Sequence, residues 1–253
     1  MKAQRNKKAR YRGYMQQYLY KYKSGDLRDF ISLKNDKLWV LNYERQNDPC
    51  DLMIRVNKEM VLSAGYSEET IHSSLLPFLK ALYRASSIIS FGKKPNNRVL
   101  WVAYADGYRG FAIKYESQAV EEVLKGILNQ NEALGEVKYG EASTDVTCYF
   151  LSFLQQKSFA LSGPIPNLFG KSKSWEQEGE IRYSLGGAFY QDEFDCEKGT
   201  EIGPLKASAV YVGFRSELKD DIKQLCSRKG IPCFECSPDF FGDPEEDCIR
   251  QLV

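Results

Sequence analysis

The chain has one histidine, His72, in 253 residues. A Ser-His-Asp or Cys-His mechanism therefore has a single candidate base, and that base falls in a helical pattern with no supporting motif around it. Glycine-rich phosphate loops are missing as well: neither GxGxxG nor GxxxxGK[ST] occurs. No apolar run approaches the roughly 18 residues needed to span a bilayer. The basic start of the chain is not followed by an apolar stretch, so it does not read as a secretory signal. Net charge is only +1, too little for a global field that would draw in nucleic acid or an anionic membrane. The seven cysteines are odd in number and scattered, which fits reduced thiols better than a disulfide framework and sets the expectation of a cytoplasmic protein. Only one CxxC is present, Cys233 to Cys236, so a structural zinc has little support and no metal is expected.

Aromatics are abundant at 13%, led by 16 Tyr and 14 Phe, and point to a strand-rich or mixed core. The first 12 residues carry Lys2, Arg5, Lys7, Lys8, Arg10 and Arg12 without an acid, and residues 1–15 read as a basic arm. Such an arm is a solvated tail or a contact for nucleic acid or a protein partner. Residues 239–253 form an acidic segment, with Asp239, Asp243, Glu245, Glu246 and Asp247. Between them, 16–238 is expected to fold as one domain.

Alternation over 16–24 predicts a first strand, and Asp26 caps a short helix that ends near Asn35. KLWVLNYE is a second strand, closed by the turn residues of QNDPCD. Residues 67–86 have helical periodicity with Ser67 as cap, and Pro77 inside predicts a kink or two helices. SSIISF is a buried strand, and GFAIKY is another after a helical LWVAYAD. Helices are expected over 117–130 and 144–161, with LGEVKYG a strand between them. ASAVYVGF, a helix capped by Ser216 and ended by Gly230, and the strand IPCFECS complete the order. Strands and helices mix without a βαβ rhythm, so the expected class is α+β, a mixed and mainly antiparallel sheet with surrounding helices.

Three places carry groups that could do chemistry. Asn47 and Asp48, with Pro49, form a strong turn, and Asx turn chemistry explains them as well as a site does. Trp101 and Tyr104 lie three apart on one helical face, as core residues or as a stacking platform for a base. The third place is WEQEGEIR. If it is all strand, Glu176, Glu178, Glu180 and Arg182 share one face, while Ile181, Tyr183 and Leu185 face the core. That row is either a salt-bridged outer face or a pair of carboxylates that divide catalytic work. Mutual repulsion would raise one pKa, and Arg182 would hold its nearest partner down.

In order and spacing, several motifs resemble a bacterial family known as domain of unknown function 2971. They are LYKYKS, LWVLNYERQNDPCD, ISFGKKPNNRVLWVAYADGYRGFAIKY, VKY, KSKSWEQEGEIR and AVYVGF, spread from Tyr18 to Cys236. Lys23, Cys50 and Ala103 depart from the family pattern of Arg, an aromatic and His. More weakly, the plan of a basic-aromatic first strand, a Ser-bearing strand and a later Glu-x-Glu strand is similar to the ADP-ribosyltransferase fold. That similarity implies NAD as substrate. It places phosphate or ribose contacts on Lys23 or Lys21, support of the nicotinamide pocket on Ser90, and the oxocarbenium-stabilising role on Glu180. Glu178 would help activate the acceptor, with Trp175 and Arg182 beside them.

The leading expectation is a nucleotide-binding effector that transfers or hydrolyses ADP-ribose, in toxicity or phage defence. One rival is a non-catalytic module that binds nucleic acid or protein through residues 1–12. Another is a metal-dependent hydrolase or nuclease built on Asp48, Glu178 and Glu180.

Overall fold

The computed structural model describes residues 16–42, 54–84, 86–127, 132–140, 143–156, 169–186, 200–239 and 247–253. The basic arm and the Asn47–Asp48 turn lie outside them. In chain order, β1 (Tyr18–Lys23) leads into α1 (Leu27–Lys34). β2 (Leu38–Asn42), β3 (Ile54–Arg55), α2 (Lys58–Ser63), α3 (Glu68–Arg84) and β4 (Ser86–Gly92) follow. Next come α4 (Arg98–Ala103), β5 (Phe111–Glu116) and α5 (Ser117–Ile127). The chain continues through β6 (Glu132–Glu136), β7 (Lys138–Tyr139), β8 (Thr144–Asp145) and α6 (Thr147–Gln156). β9 (Gly170–Lys171) precedes a 3-10 helix (Lys173–Glu178), then β10 (Glu180–Gly186) and β11 (Thr200–Ile202). β12 (Ala209–Gly213), α7 (Lys219–Lys229), β13 (Cys233–Pro238) and β14 (Asp247–Gln251) close the order.

The α+β class with a mixed, mainly antiparallel sheet is the one observed. The chain divides into two compact units. The first comprises Met1–Asp36, Gly92–Leu124 and Pro204–Val253. Its strands run β1-β5-β12-β13-β14, antiparallel except for the β12–β13 pair. Tyr20, Tyr22, Trp101, Tyr108 and Tyr211 form its aromatic core with Leu100 and Cys236. Backbone segments approach so closely there that Gly110 is obligatory: a Cβ would stand 1.9 Å from the Lys23 carbonyl oxygen. Asp26 caps α1 as expected, its carboxylate accepting from the Asp29 amide at 2.7 Å.

The second unit comprises Lys37–Phe91 and Lys125–Gly203. Its strands run β11-β2-β4-β10-β6, so β10 is flanked on both edges. Beside them, Val61, Ile71, Phe78, Leu82, Val146 and Phe150 bury the apolar faces of α2, α3 and α6. Several expectations change in detail, and the helix expected from residue 144 starts at Thr147, after β8. Of the two alternatives for Pro77, the two-helix one falls, since Pro77 sits within one helix, α3. α2 is an extra helix, capped by the Asn57 side chain on the Met60 amide. The N-cap of α7 is Leu218, not Ser216, and it makes no side-chain cap bond. An additional strand, β14, follows β13.

Candidate functional site

WEQEGEIR is not one strand. Ser172 caps the 3-10 helix through the Ser174 amide, and Gly179 ends it in the left-handed region at φ 55°. Glycine reaches that conformation without the steric cost other residues bear. Only Glu180 and Arg182 therefore alternate on β10, while Glu178 arrives from the last position of the 3-10 helix and Glu176 is exposed.

Nor is the row the outside of a strand. Glu178, Glu180 and Arg182 are 1%, 5% and 1% exposed, and Ile181 and Tyr183 on the opposite face are buried too. A fourth charged group joins them, Lys171 on β9, at 2%. Arg182 grips Glu180 with two parallel bonds, Nε to Oε1 at 2.7 Å and a terminal nitrogen to Oε2 at 3.0 Å. Planar fork geometry of this kind is the strong form of the carboxylate pair. Lys171 Nζ donates to Glu178 Oε2 at 2.5 Å and to Glu180 Oε2 at 3.2 Å. The four groups are two cations and two carboxylates, so their formal charges cancel.

Short elements hold the network in place. β9 pairs in parallel with β7, and the Gly140 amide donates to the Lys171 carbonyl at 3.0 Å. Tyr139, from β7, accepts the Glu180 backbone amide on its hydroxyl at 2.9 Å. Ser90, half-buried on the neighbouring strand β4, hydrogen-bonds the Glu180 carboxylate. Trp175, half-buried on the 3-10 helix, lies with its ring centroid 5.3 Å from Lys171 Nζ, within cation–π range.

Burial by itself would push the Glu180 carboxyl up. The charge and hydrogen bonds of Arg182, with Lys171 and Ser90, outweigh it and hold the pKa at about 2. Glu180 is therefore an anion throughout the physiological range. It suits the stabilisation of positive charge and is a poor proton acceptor near neutral pH. Tyr139 moves the other way, to about 12, chiefly through burial, with the two carboxylates adding to it.

Ser90, Trp175, Glu178, Glu180 and Arg182 thus meet in the second unit. Lys171 was absent from the expected set, although a lysine four residues before Trp175 was its signal. Lys21, Lys23, Trp101 and Tyr104 belong to the first unit. Lys21 is half-buried on β1. Lys23 pairs with Asp29 at 3.0 Å, and Ser24 bonds the other oxygen of that carboxylate. Trp101 is completely buried: it stacks on Tyr108 at 5.1 Å and 5°, meets Tyr22 edge-on at 5.4 Å, and donates from Nε1 to the Pro95 carbonyl at 2.8 Å. Of the pair's two readings, Trp101 takes the core one, and Tyr104 packs against the same cluster. Asn47 and Asp48 lie outside the described residues. Among the described residues, no group of three or more His, Cys, Asp or Glu converges to hold a metal ion, and no helix is long and apolar enough to cross a membrane.

No curated protein and no solved structure matches the chain. Residues 100–183 match the family described as protein of unknown function (DUF2971). The matched stretch contains Trp101, Tyr104 and all four charged residues of the buried network, and leaves out Lys21, Lys23 and Ser90. That likeness covers about a third of the chain.

Proposed function

We propose that the protein binds NAD and transfers or hydrolyses its ADP-ribose, with Glu180 as the anion that stabilises the oxocarbenium-like state as nicotinamide leaves. The observation that carries this reading is the bond between Ser90 and Glu180 across two neighbouring strands, with Glu180 kept ionised in a buried setting. A Ser strand beside a Glu strand is the arrangement that the similarity to ADP-ribosyltransferases implies. Energetics supports it from another direction. Buried charge networks are a poor means of stabilising a sheet, because desolvation consumes most of the Coulombic gain. A network of four such groups is better explained by a need for charge at that place.

Each group has a defined part. Ser90 orients the Glu180 carboxylate, and Arg182 holds it against β10 by the two-pronged grip. Positive charge developing on the ribose would meet a fixed anion that needs no reorganisation, the usual source of large electrostatic rate effects. Glu178 would draw the acceptor towards the same centre. A role in toxicity or phage defence belongs to this proposal, as does a nucleic-acid or protein contact through residues 1–12.

Purified protein incubated with NAD and candidate acceptors should release nicotinamide. Glu180→Gln should reduce the rate by about a hundredfold or more, and Ser90→Ala by roughly tenfold. Titration of Glu180 at about 2 means that it contributes no inflection to the rate between pH 5 and 9. Absence of both nicotinamide release and ADP-ribose transfer in wild type would sink the proposal. A Glu180→Gln protein that turns over NAD as wild type does would sink the assignment of its role.

A further inference from the structure

The Lys171 ammonium sits among three groups that together form a cation site. It touches Glu178 and Glu180, and the Trp175 ring lies beside it. Aromatic faces combined with carboxylates are the chemistry by which proteins recognise organic cations. We propose that Trp175, Glu178 and Glu180 are a receptor for a planar organic cation of the pyridinium class, which the chain's own Lys171 fills in this structure and which the ligand occupies by displacing it. The inference rests on the reading above only for the identity of the ligand, since the nicotinamide ring of NAD is such a cation.

Charge arithmetic specifies a ligand of charge +1. Two cations meet two carboxylates here, so moving Lys171 away leaves the group with one negative charge in excess. An uncompensated anion this deeply buried is costly, and a replacement cation removes the cost. A planar ring suits the Trp175 face better than a compact ammonium does.

Local construction favours an exchange at this end of the unit. Glu178 and Glu180 are buried, and Trp175 is half-exposed. Trp175 rides on a 3-10 helix of six residues, a class with poorer hydrogen-bond geometry than an α-helix. The cap at Ser172 is long, 3.4 Å to the Ser174 amide, and the helix ends at Gly179, where nothing lies within 4 Å of a built Cβ. Lys171 itself belongs to a strand of two residues. Segments held so lightly open more readily than the core strands.

The occupant then sets the affinity, because the ligand must compete with a tethered ammonium. Isothermal titration with 1-methylnicotinamide, using neutral nicotinamide as control, measures this directly. Lys171→Met should bind the cation at least tenfold more tightly than wild type, with no comparable gain for nicotinamide. Adding Glu178→Gln should abolish the gain, and adding Trp175→Leu should weaken it. A second measurement uses Lys171→Ala: ethylammonium chloride should raise its melting temperature more than sodium chloride at equal ionic strength, and should not do so in wild type. An unchanged affinity in Lys171→Met, an equal gain for neutral nicotinamide, or no selective rescue by ethylammonium each overturns the receptor. Cation binding without nicotinamide release from NAD supports the receptor and removes the transferase. Nicotinamide release with no cation gain in Lys171→Met does the reverse.

Discussion

Replacing Glu180 by Gln removes one charge from the buried network and keeps the shape of the side chain. The size of the effect follows from the carboxyl's pKa, lowered from an ordinary 4.5 to about 2 in the folded chain. At about 1.4 kcal/mol per pH unit, this ionised group contributes roughly 3 kcal/mol at neutral pH. Removing one partner of a buried pair costs about 3–5 kcal/mol by a separate line of reasoning, so the two agree. A depressed carboxyl contributes fully above its unfolded value. The contribution drains away as pH falls from 4.5 towards about 2. Urea unfolding of wild type and Glu180→Gln at pH 7, 4.5 and 3.5 tests both magnitude and sign. The stability gap should be about 3 kcal/mol at pH 7 and narrow by roughly a third or more at pH 3.5. A gap below about 1 kcal/mol at pH 7 would place the pair in the range of solvent-screened surface bridges and refute the reasoning. A gap that stays constant down to pH 3.5 would refute the assigned pKa.

Two glycines should separate close packing from backbone conformation. Gly110→Ala would force a Cβ to within 1.9 Å of the Lys23 carbonyl, and it should cost more than about 4 kcal/mol or leave the first unit unfolded by circular dichroism. Gly179→Ala meets open space and only the left-handed φ of 55°, so a loss of about 1 kcal/mol in the same measurement is expected. Tyr139→Phe orphans the Glu180 amide and should cost about 1–3 kcal/mol by chemical denaturation. In wild type, phenolate absorbance from Tyr139 should appear only near pH 12. Asn97→Ala removes the side chain that caps α4 at the Leu100 amide, and should lower stability by about 1 kcal/mol.

Local chemistry made much of the order of elements readable. Asp26 and Ser67 announce helix starts because their side chains have a specific amide to bond, and both do so, on Asp29 and Thr70. The residues of the site were readable where a pattern survives in one dimension. The pairing of Glu180 with Arg182 is such a case, since strand alternation alone puts them together. WEQEGEIR misled at its first half because alternating acids imitate a strand, while Ser172 and Gly179 marked the ends of a short helix. Burial of the charged face could not be read. Alternation of charged with apolar residues usually means one solvated face. β10, however, runs between β4 and β6, and Lys171 and the 3-10 helix bring their own groups to its charged side. Lys171 and Glu180 meet across nine positions of chain, a distance at which no helix or strand period applies.

The three tryptophans are placed as built-in reporters. Trp101 lies wholly inside the first unit, against Tyr22 and Tyr108, and its emission should be blue-shifted. Trp39 and Trp175 are half-buried in the second unit, and Trp175 has an ammonium beside its ring. Red-edge and blue-edge fluorescence recorded through one denaturation therefore follow different parts of the chain. Coincident curves would mean that the two units melt cooperatively, and separated curves would assign a melting order without any added label.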